Sequence, residues 1–173
     1  LLAEIRQAST DDVDAAYAAA EQAQAGWAAL SPGKRSKIMG QASDYLQANF
    51  KDILALLIAE SGSTHLKANI ELGGTIAAIR EAATFPTRVH GKILPSNAEG
   101  KENRVYREPV GVVGIISPWN FPMLLSARSV APALALGNAV VLKPASDTPL
   151  VGALVLAKAF SAAGLPEGVL NAV

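Results

Sequence analysis

The sequence contains no cysteine. Disulfide scaffolds, thiolate metal sites and a cysteine nucleophile within these residues are therefore excluded. A surplus of charge of either sign is also lacking, since Lys plus Arg and Asp plus Glu both number 15. That balance points to no nucleic-acid partner and no charged tail. Histidine occurs only as His65 and His90, well separated and without ligand-type company, so no metal site is expected and both read as partly exposed surface residues. The apolar runs, such as Ile53–Ala59, are too short for a membrane-spanning helix, which needs about 20 residues, so no membrane partner is expected. No signal-peptide pattern, internal repeat or low-complexity tract is visible.

What is present is apolar. Half of the 173 residues are hydrophobic and only 17% are charged, enough to bury the core of one domain or slightly more. The opening Leu1–Ile5 reads as the middle of a strand, and the chain is expected to be a piece of a longer protein. A helix should follow, capped by Ser9 or Thr10, with Asp11 and Asp12 in its first turn and Val13, Tyr17, Ala20 and Trp27 at helical spacing. Ser31-Pro32 signals a second helix with Ile38, Ala42, Tyr45 and Leu46 as its apolar stripe. A third is expected from Asn49 to a stop at Gly62, and a fourth from Ser63 to Thr84, ending before Pro86. Inside the fourth, Gly73-Gly74 costs roughly 1 kcal/mol per glycine, which predicts close packing against a neighbour.

Beyond Pro86 the pattern changes. Val89–Tyr106 reads as a hairpin or arm whose middle, Ser96–Asn103, is polar and exposed. Val110–Ile116, Ala139–Leu142 and Val169–Val173 are almost wholly apolar, as suits strands of a parallel sheet covered on both faces. Between them lie helices near Met123–Leu136 and Leu150–Ala163, stopped by Gly137 and Gly164. Strand centres recur roughly every thirty residues, the period of successive βαβ units. The fold class expected is α/β: N-terminal helices plus the first strands of an atypical doubly wound, Rossmann-like sheet.

Ligands of doubly wound sheets sit beyond the carboxyl ends of the strands. Two segments occupy that place, Ser117-Pro118-Trp119-Asn120-Phe121-Pro122 and Lys143-Pro144-Ala145-Ser146-Asp147-Thr148-Pro149. The G-x-G-x-x-G fingerprint is absent from the first. Two prolines instead stiffen a turn that carries an amide at its tip. Asn120 there either aims its amide at a reacting oxygen or merely tolerates an unusual turn conformation, and the residues alone leave both open.

The stretch Glu108–Pro122, continuing through Ala131–Ala145 and Gly164–Asn171, resembles the signature of the aldehyde dehydrogenase superfamily, and the resemblance extends over nearly the whole chain. Arg128–Asn138 is most similar to benzaldehyde- and vanillin-type members. The resemblance implies a division into 1–86 as the helical part of the cofactor domain, 87–109 as a β-arm of the oligomerisation domain and 110–173 as the first βαβαβ of the NAD(P) domain. It implies Asn120 as oxyanion donor. Trp119, with the backbone of Ile116, Ser117 and Pro118, would border the nicotinamide ribose. Lys143, with Pro144, Ala145 and Ser146, would hold the adenosine ribose, and Phe121 and Leu125 would line the aldehyde tunnel. Where Ser146 stands, strictly NAD-using members often carry glutamate, so NAD or NADP is expected, with NADP at least tolerated. Asp147 is expected near the following helix N-terminus, facing away from the ribose. The family's nucleophilic cysteine, base glutamate and pyrophosphate-contacting glycines lie downstream of the matched region. The expectation is thus part of a cytoplasmic, homo-oligomeric (dimeric or tetrameric) enzyme oxidising an aldehyde, aromatic by the benzaldehyde- and vanillin-type similarity, to a carboxylic acid through a thiohemiacetal and a thioester. The alternative is a non-catalytic fragment or relative that kept the fold alone.

Overall fold

A computed structural model describes residues 2–173. Among the described residues the N-terminal half is four helices: α1 (Thr10–Ala28), α2 (Pro32–Ala48), α3 (Phe50–Ser61) and α4 (His65–Ala82). Ser9 and Asp12 form a reciprocal capping box on α1, Ser31 caps α2 and Thr64 caps α4. The expected strand at the start is not found. Leu1 lies outside the described residues, and residues 2–9 carry no regular secondary structure. Apolar residues alone do not make a strand without a neighbouring edge to pair with, and this segment instead reaches α1 through Arg6, whose guanidinium donates to Asp12 at 2.9 Å. That guanidinium, with the Ser9 amide, holds the Asp12 carboxyl well below the usual range. The glycine pair in α4 is only half explained: a Cβ at Gly74 would stand 3.4 Å from the Leu124 methyls, whereas one at Gly73 would meet nothing.

After a 3₁₀ turn at Phe85–Thr87, β1 (Lys92–Pro95) and β2 (Glu102–Val105) pair antiparallel, with every residue of both strands exposed. The connecting turn is exposed except at half-buried Ser96, a small departure from expectation. The second sheet is parallel, in the order β3 (Val112–Ile116), β4 (Ala139–Lys143), β5 (Leu170–Ala172). Crossovers are α5 (Pro122–Ala135) and a π-helical turn (Leu150–Leu154) that runs into α6 (Val155–Ala162). The single helix expected over Leu150–Ala163 is therefore two pieces. The strand expected from Val110 begins at Val112 because Gly111 takes a φ of 111°, outside the extended region.

Both faces of the sheet are covered, as its largely apolar strands require. Along β4, Ala139 and Val141 pack with Ala20 of α1. The alternate residues Val140 and Leu142 point into the main core with α2, α5 and α6. The N-terminal helices also close the C-terminal end of α5. The buried Trp27 indole donates to Leu134 O at 2.8 Å, Arg35 Nε to Ala135 O at 3.2 Å and Gln24 Nε2 to Gly137 O at 2.9 Å. Asn138 completes the junction, accepting from Gly111 N and donating to Ala133 O, both at 3.1 Å. No helix among the described residues is long and apolar enough to cross a membrane.

Candidate active site

The turn after β3 is held from three sides. Ser117 N donates to Lys143 O at 2.9 Å, joining it to the end of β4. Beneath it, the buried hydroxyls of Ser117 and Ser126 lie 2.5 Å apart, fastening the strand end to α5. Glu71 of α4 supplies the third tie. Its carboxylate is fully buried, and Oε1 accepts from Met123 N at 2.9 Å and Leu124 N at 3.5 Å. Oε2 pairs with the Lys67 ammonium, which also lies 4.5 Å from the centre of the Phe121 ring.

On this base Trp119 and Asn120 are exposed, and the Asn120 side chain makes no hydrogen bond among the described residues. No non-glycine residue described has a positive φ. Asn120 therefore does not serve a left-handed turn, which removes the backbone explanation for an asparagine there. What remains is a free amide, donor and acceptor, on a rigid support. Half-buried Phe121 and Leu125 lie at the start of α5, with Leu125 N donating to Phe121 O at 2.9 Å.

The turn after β4 borders an open cleft of about 1060 Å³. Ile116, Lys143, Pro144, Ala145 and Ser146 line it, opposite Arg6, Asp12 and Tyr17 from the first helix and its approach. Five of the expected cofactor residues thus share one cavity. Ser117, Pro118 and Trp119 do not line it, nor do Asn120, Phe121 and Leu125. Exposed Ser146 offers a hydroxyl, and Lys143 Nζ rests on Pro144 O at 3.0 Å, a weak anchor from which it is free to turn. Hydroxyl and ammonium together suit ribose hydroxyls or a phosphate, so the donor set fits the adenosine half of a dinucleotide. Asp147 is absent from the cleft lining, consistent with its facing away, but it does not cap the next helix. Glu60, near the C-terminal end of α3, does so instead: Oε1 accepts from Leu150 N at 2.8 Å and Oε2 from Val151 N at 2.7 Å.

Glu60, Lys67 and Glu71 escaped sequence reasoning. A faint signal existed. Helices α1, α2 and α4 have a Ser or Thr cap, whereas α5 and the π turn begin on Phe121 and Pro149 with no side-chain cap of their own. A helix start without a local acceptor needs one from elsewhere. Among the described residues no group of three or more His, Asp or Glu is placed to hold a metal.

Comparison with known proteins gives a consistent result. The model of a family described as the aldehyde dehydrogenase family matches residues 1–173. A vanillin dehydrogenase of Corynebacterium glutamicum is 58% identical over all of this chain and 36% of its own length. The benzaldehyde dehydrogenase YfmT of Bacillus subtilis is 52% identical over 97% of this chain and 35% of its own. The crystal structure of an NAD-dependent benzaldehyde dehydrogenase from Corynebacterium glutamicum superposes with a TM-score of 0.96 at 57% identity, covering 99% of this chain and 37% of that one. The chain thus spans little more than a third of the length of these relatives.

Proposed function

This chain belongs to the aldehyde dehydrogenase family, and from that membership we propose that the full-length protein oxidises an aldehyde, aromatic by its relatives, to the carboxylic acid with NAD or NADP. The observation that carries the proposal is the free Asn120 amide on a turn fastened by buried contacts, at the end of the strand whose last residue, Ile116, lines one cleft with Lys143 and Ser146. The dinucleotide, when bound, supplies the hydride acceptor. The nucleophile is a cysteine outside this chain, which attacks the aldehyde carbon to give a thiohemiacetal and, after oxidation, a thioester that water opens. Asn120 donates its amide to the oxygen that becomes negative on attack. Lys143 and Ser146 hold ribose hydroxyls, and Trp119 with the Ile116–Pro118 backbone borders the reacting end. Phe121 and Leu125 give the aldehyde an apolar approach. The segment 1–86 serves as the helical part of the cofactor domain and 110–173 as its first βαβαβ. Segment 87–109, whose two strands are exposed and pair with each other, forms the contact of a homo-oligomer.

The direct test is aldehyde-dependent formation of reduced dinucleotide by the full-length protein with benzaldehyde and vanillin. Turnover of neither, in a protein that binds dinucleotide, would rule out the proposed substrate class. The 173-residue chain alone is expected to produce none, since it lacks the nucleophile. Reduced dinucleotide formation that rises with the concentration of the repurified chain would overturn this division of labour.

Cofactor choice turns on Ser146. A carboxylate there would face the 2′-phosphate of NADP, and two such charges about 4 Å apart repel by roughly 1–4 kcal/mol in a partly screened cleft. A hydroxyl does not, and Lys143 can pair with the phosphate. NADP should therefore be used about as well as NAD. Ser146→Glu should lower the NADP to NAD ratio of kcat/KM by on the order of tenfold or more. A wild-type preference for NAD beyond a hundredfold, or an unchanged ratio in the variant, contradicts this role for Ser146.

A further inference from the structure

Both ligand-facing turns lead into helices that begin without a cap of their own. Both helix starts are filled by a glutamate from the same pair of N-terminal helices: Glu71 on α4 takes the amides of Met123 and Leu124, and Glu60 on α3 takes those of Leu150 and Val151. Between α3 and α4 the chain turns at Gly62, in the left-handed conformation at φ 65°. Ser61 steadies this corner, with its Oγ 2.6 Å from both Leu57 O and Ser63 Oγ. The two helices joined at this corner therefore hold the start of each helix that follows a candidate ligand turn, Glu60 beside the corner and Glu71 further along α4.

Resting on the roles proposed above for Asn120 and Lys143, we infer that Glu71 and Glu60 are positioning residues and that the α3–α4 corner sets the spacing between the oxyanion donor and the ribose-binding turn. Glu71 acts through the 117–122 turn. Its loss frees the first amides of α5 and releases Lys67 from its place over Phe121, so the Asn120 amide loses its aim. Glu60 acts through the 143–149 turn, whose far end it fixes to α3. Neither carboxylate lines the cleft, so neither is expected to touch substrate or cofactor.

The two glutamates bind differently, which gives a distinguishing pattern. A single Glu71 oxygen serves both amides, whereas Glu60 uses one oxygen for each. Glutamine keeps one acceptor and replaces the other oxygen with a donor. Glu71→Gln keeps the acceptor shared by Met123 and Leu124 but turns a donor toward Lys67, so both amides should stay protected and kcat should fall by less than in Glu71→Ala, whereas Glu60→Gln gives up one of its two amides and should recover only part of what Glu60→Ala loses.

The test uses the full-length protein. Glu71→Ala should lower kcat on the order of tenfold with a smaller change in dinucleotide KM, and Glu60→Ala should raise dinucleotide KM by a similar factor with a smaller change in kcat. In a double-mutant cycle, Glu71→Ala should cost little more once Asn120 is alanine. Amide exchange should rise at Met123 and Leu124 in the first variant and at Leu150 and Val151 in the second. Equal shifts of kcat and KM in both variants, tracking lost thermal stability, would reduce the glutamates to general structural supports and overturn the inference. Additive effects of Glu71→Ala and Asn120→Ala would overturn it too. If Asn120→Ala alone leaves kcat intact, Asn120 is not the donor. The exchange pattern and the Glu60 variants then still decide whether the corner holds the turns. Should an alanine variant fail to fold, the unequal rescue of the two glutamine variants decides the matter.

Discussion

Replacing Asn120 with alanine in the full-length protein should reduce kcat by roughly 10² to 10³, the usual cost of one oxyanion donor, while dinucleotide affinity barely changes. The asparagine is exposed, and its side chain makes no internal hydrogen bond among the described residues, so the fold has little need of it. Its backbone is not left-handed, so alanine fits the turn without strain. The turn's position comes from Ser117, Ser126 and Glu71, none of which the substitution disturbs. A loss of rate can then be assigned to the missing amide rather than to a displaced turn. Asn120→Asp sharpens the contrast, because it keeps the shape and presents a negative charge to a developing one. A variant retaining more than half of wild-type kcat, under conditions where acylation or hydride transfer limits turnover, rules Asn120 out as the donor.

The largest stability effect is expected at Trp27. Its ring is fully buried in the main core, and its indole N–H is bonded to Leu134 O near the end of α5. Trp27→Ala should cost about 3–5 kcal/mol for the lost burial and the cavity, and it leaves the Leu134 carbonyl without that donor. For a chain of this size each kcal/mol moves the unfolding temperature by about 2–4 °C, so a fall of roughly 6–20 °C is expected. Trp27→Phe separates the two parts. It fills most of the space and loses only the donor, at about 1–2 kcal/mol. If thermal unfolding places alanine and phenylalanine together, or alanine within 1 kcal/mol of wild type, the closure of α5 by the first helix is not what holds these layers together.

The sequence was most legible where one physical requirement acts locally. Strands apolar on both faces need helices on both faces, and β3, β4 and β5 have them. Ser9 and Ser31 cap the helices that follow because a side-chain acceptor two or three residues before a free amide satisfies it at once. Asn120 and Lys143 stood out because the turns beyond strand ends are where ligands of such sheets sit, but the roles expected of them came from the family resemblance, not from their position. Ties between remote residues stayed hidden. Glu71 reaches Met123 across 52 positions and Glu60 reaches Leu150 across 90, and nothing local in either glutamate marks it as a cap. The strand expected at the chain's opening failed for the converse reason, since apolar character was read without a pairing edge. The π turn at Leu150–Leu154 has no signature in the hydrophobic pattern, which Leu150, Val151, Leu154 and Leu156 satisfy in either helical form.

The filled helix ends also bear on where a diphosphate can rest. In an ordinary dinucleotide fold the pyrophosphate sits on the open N-terminus of the first crossover helix, whose free amides receive it. Here those amides already hold a carboxylate. The chain supplies its own anion to each docking end, and a phosphate approaching either would find the socket taken. Beside Leu150 and Val151 it would also meet a negative charge in Glu60, which has no ion pair among the described residues. A glycine-rich first turn, which lets a pyrophosphate approach the backbone closely, would serve nothing in such a molecule. The missing fingerprint and the occupied helix ends are thus one fact. They leave the diphosphate of a bound dinucleotide to be neutralised by amides or cations away from these two helix starts.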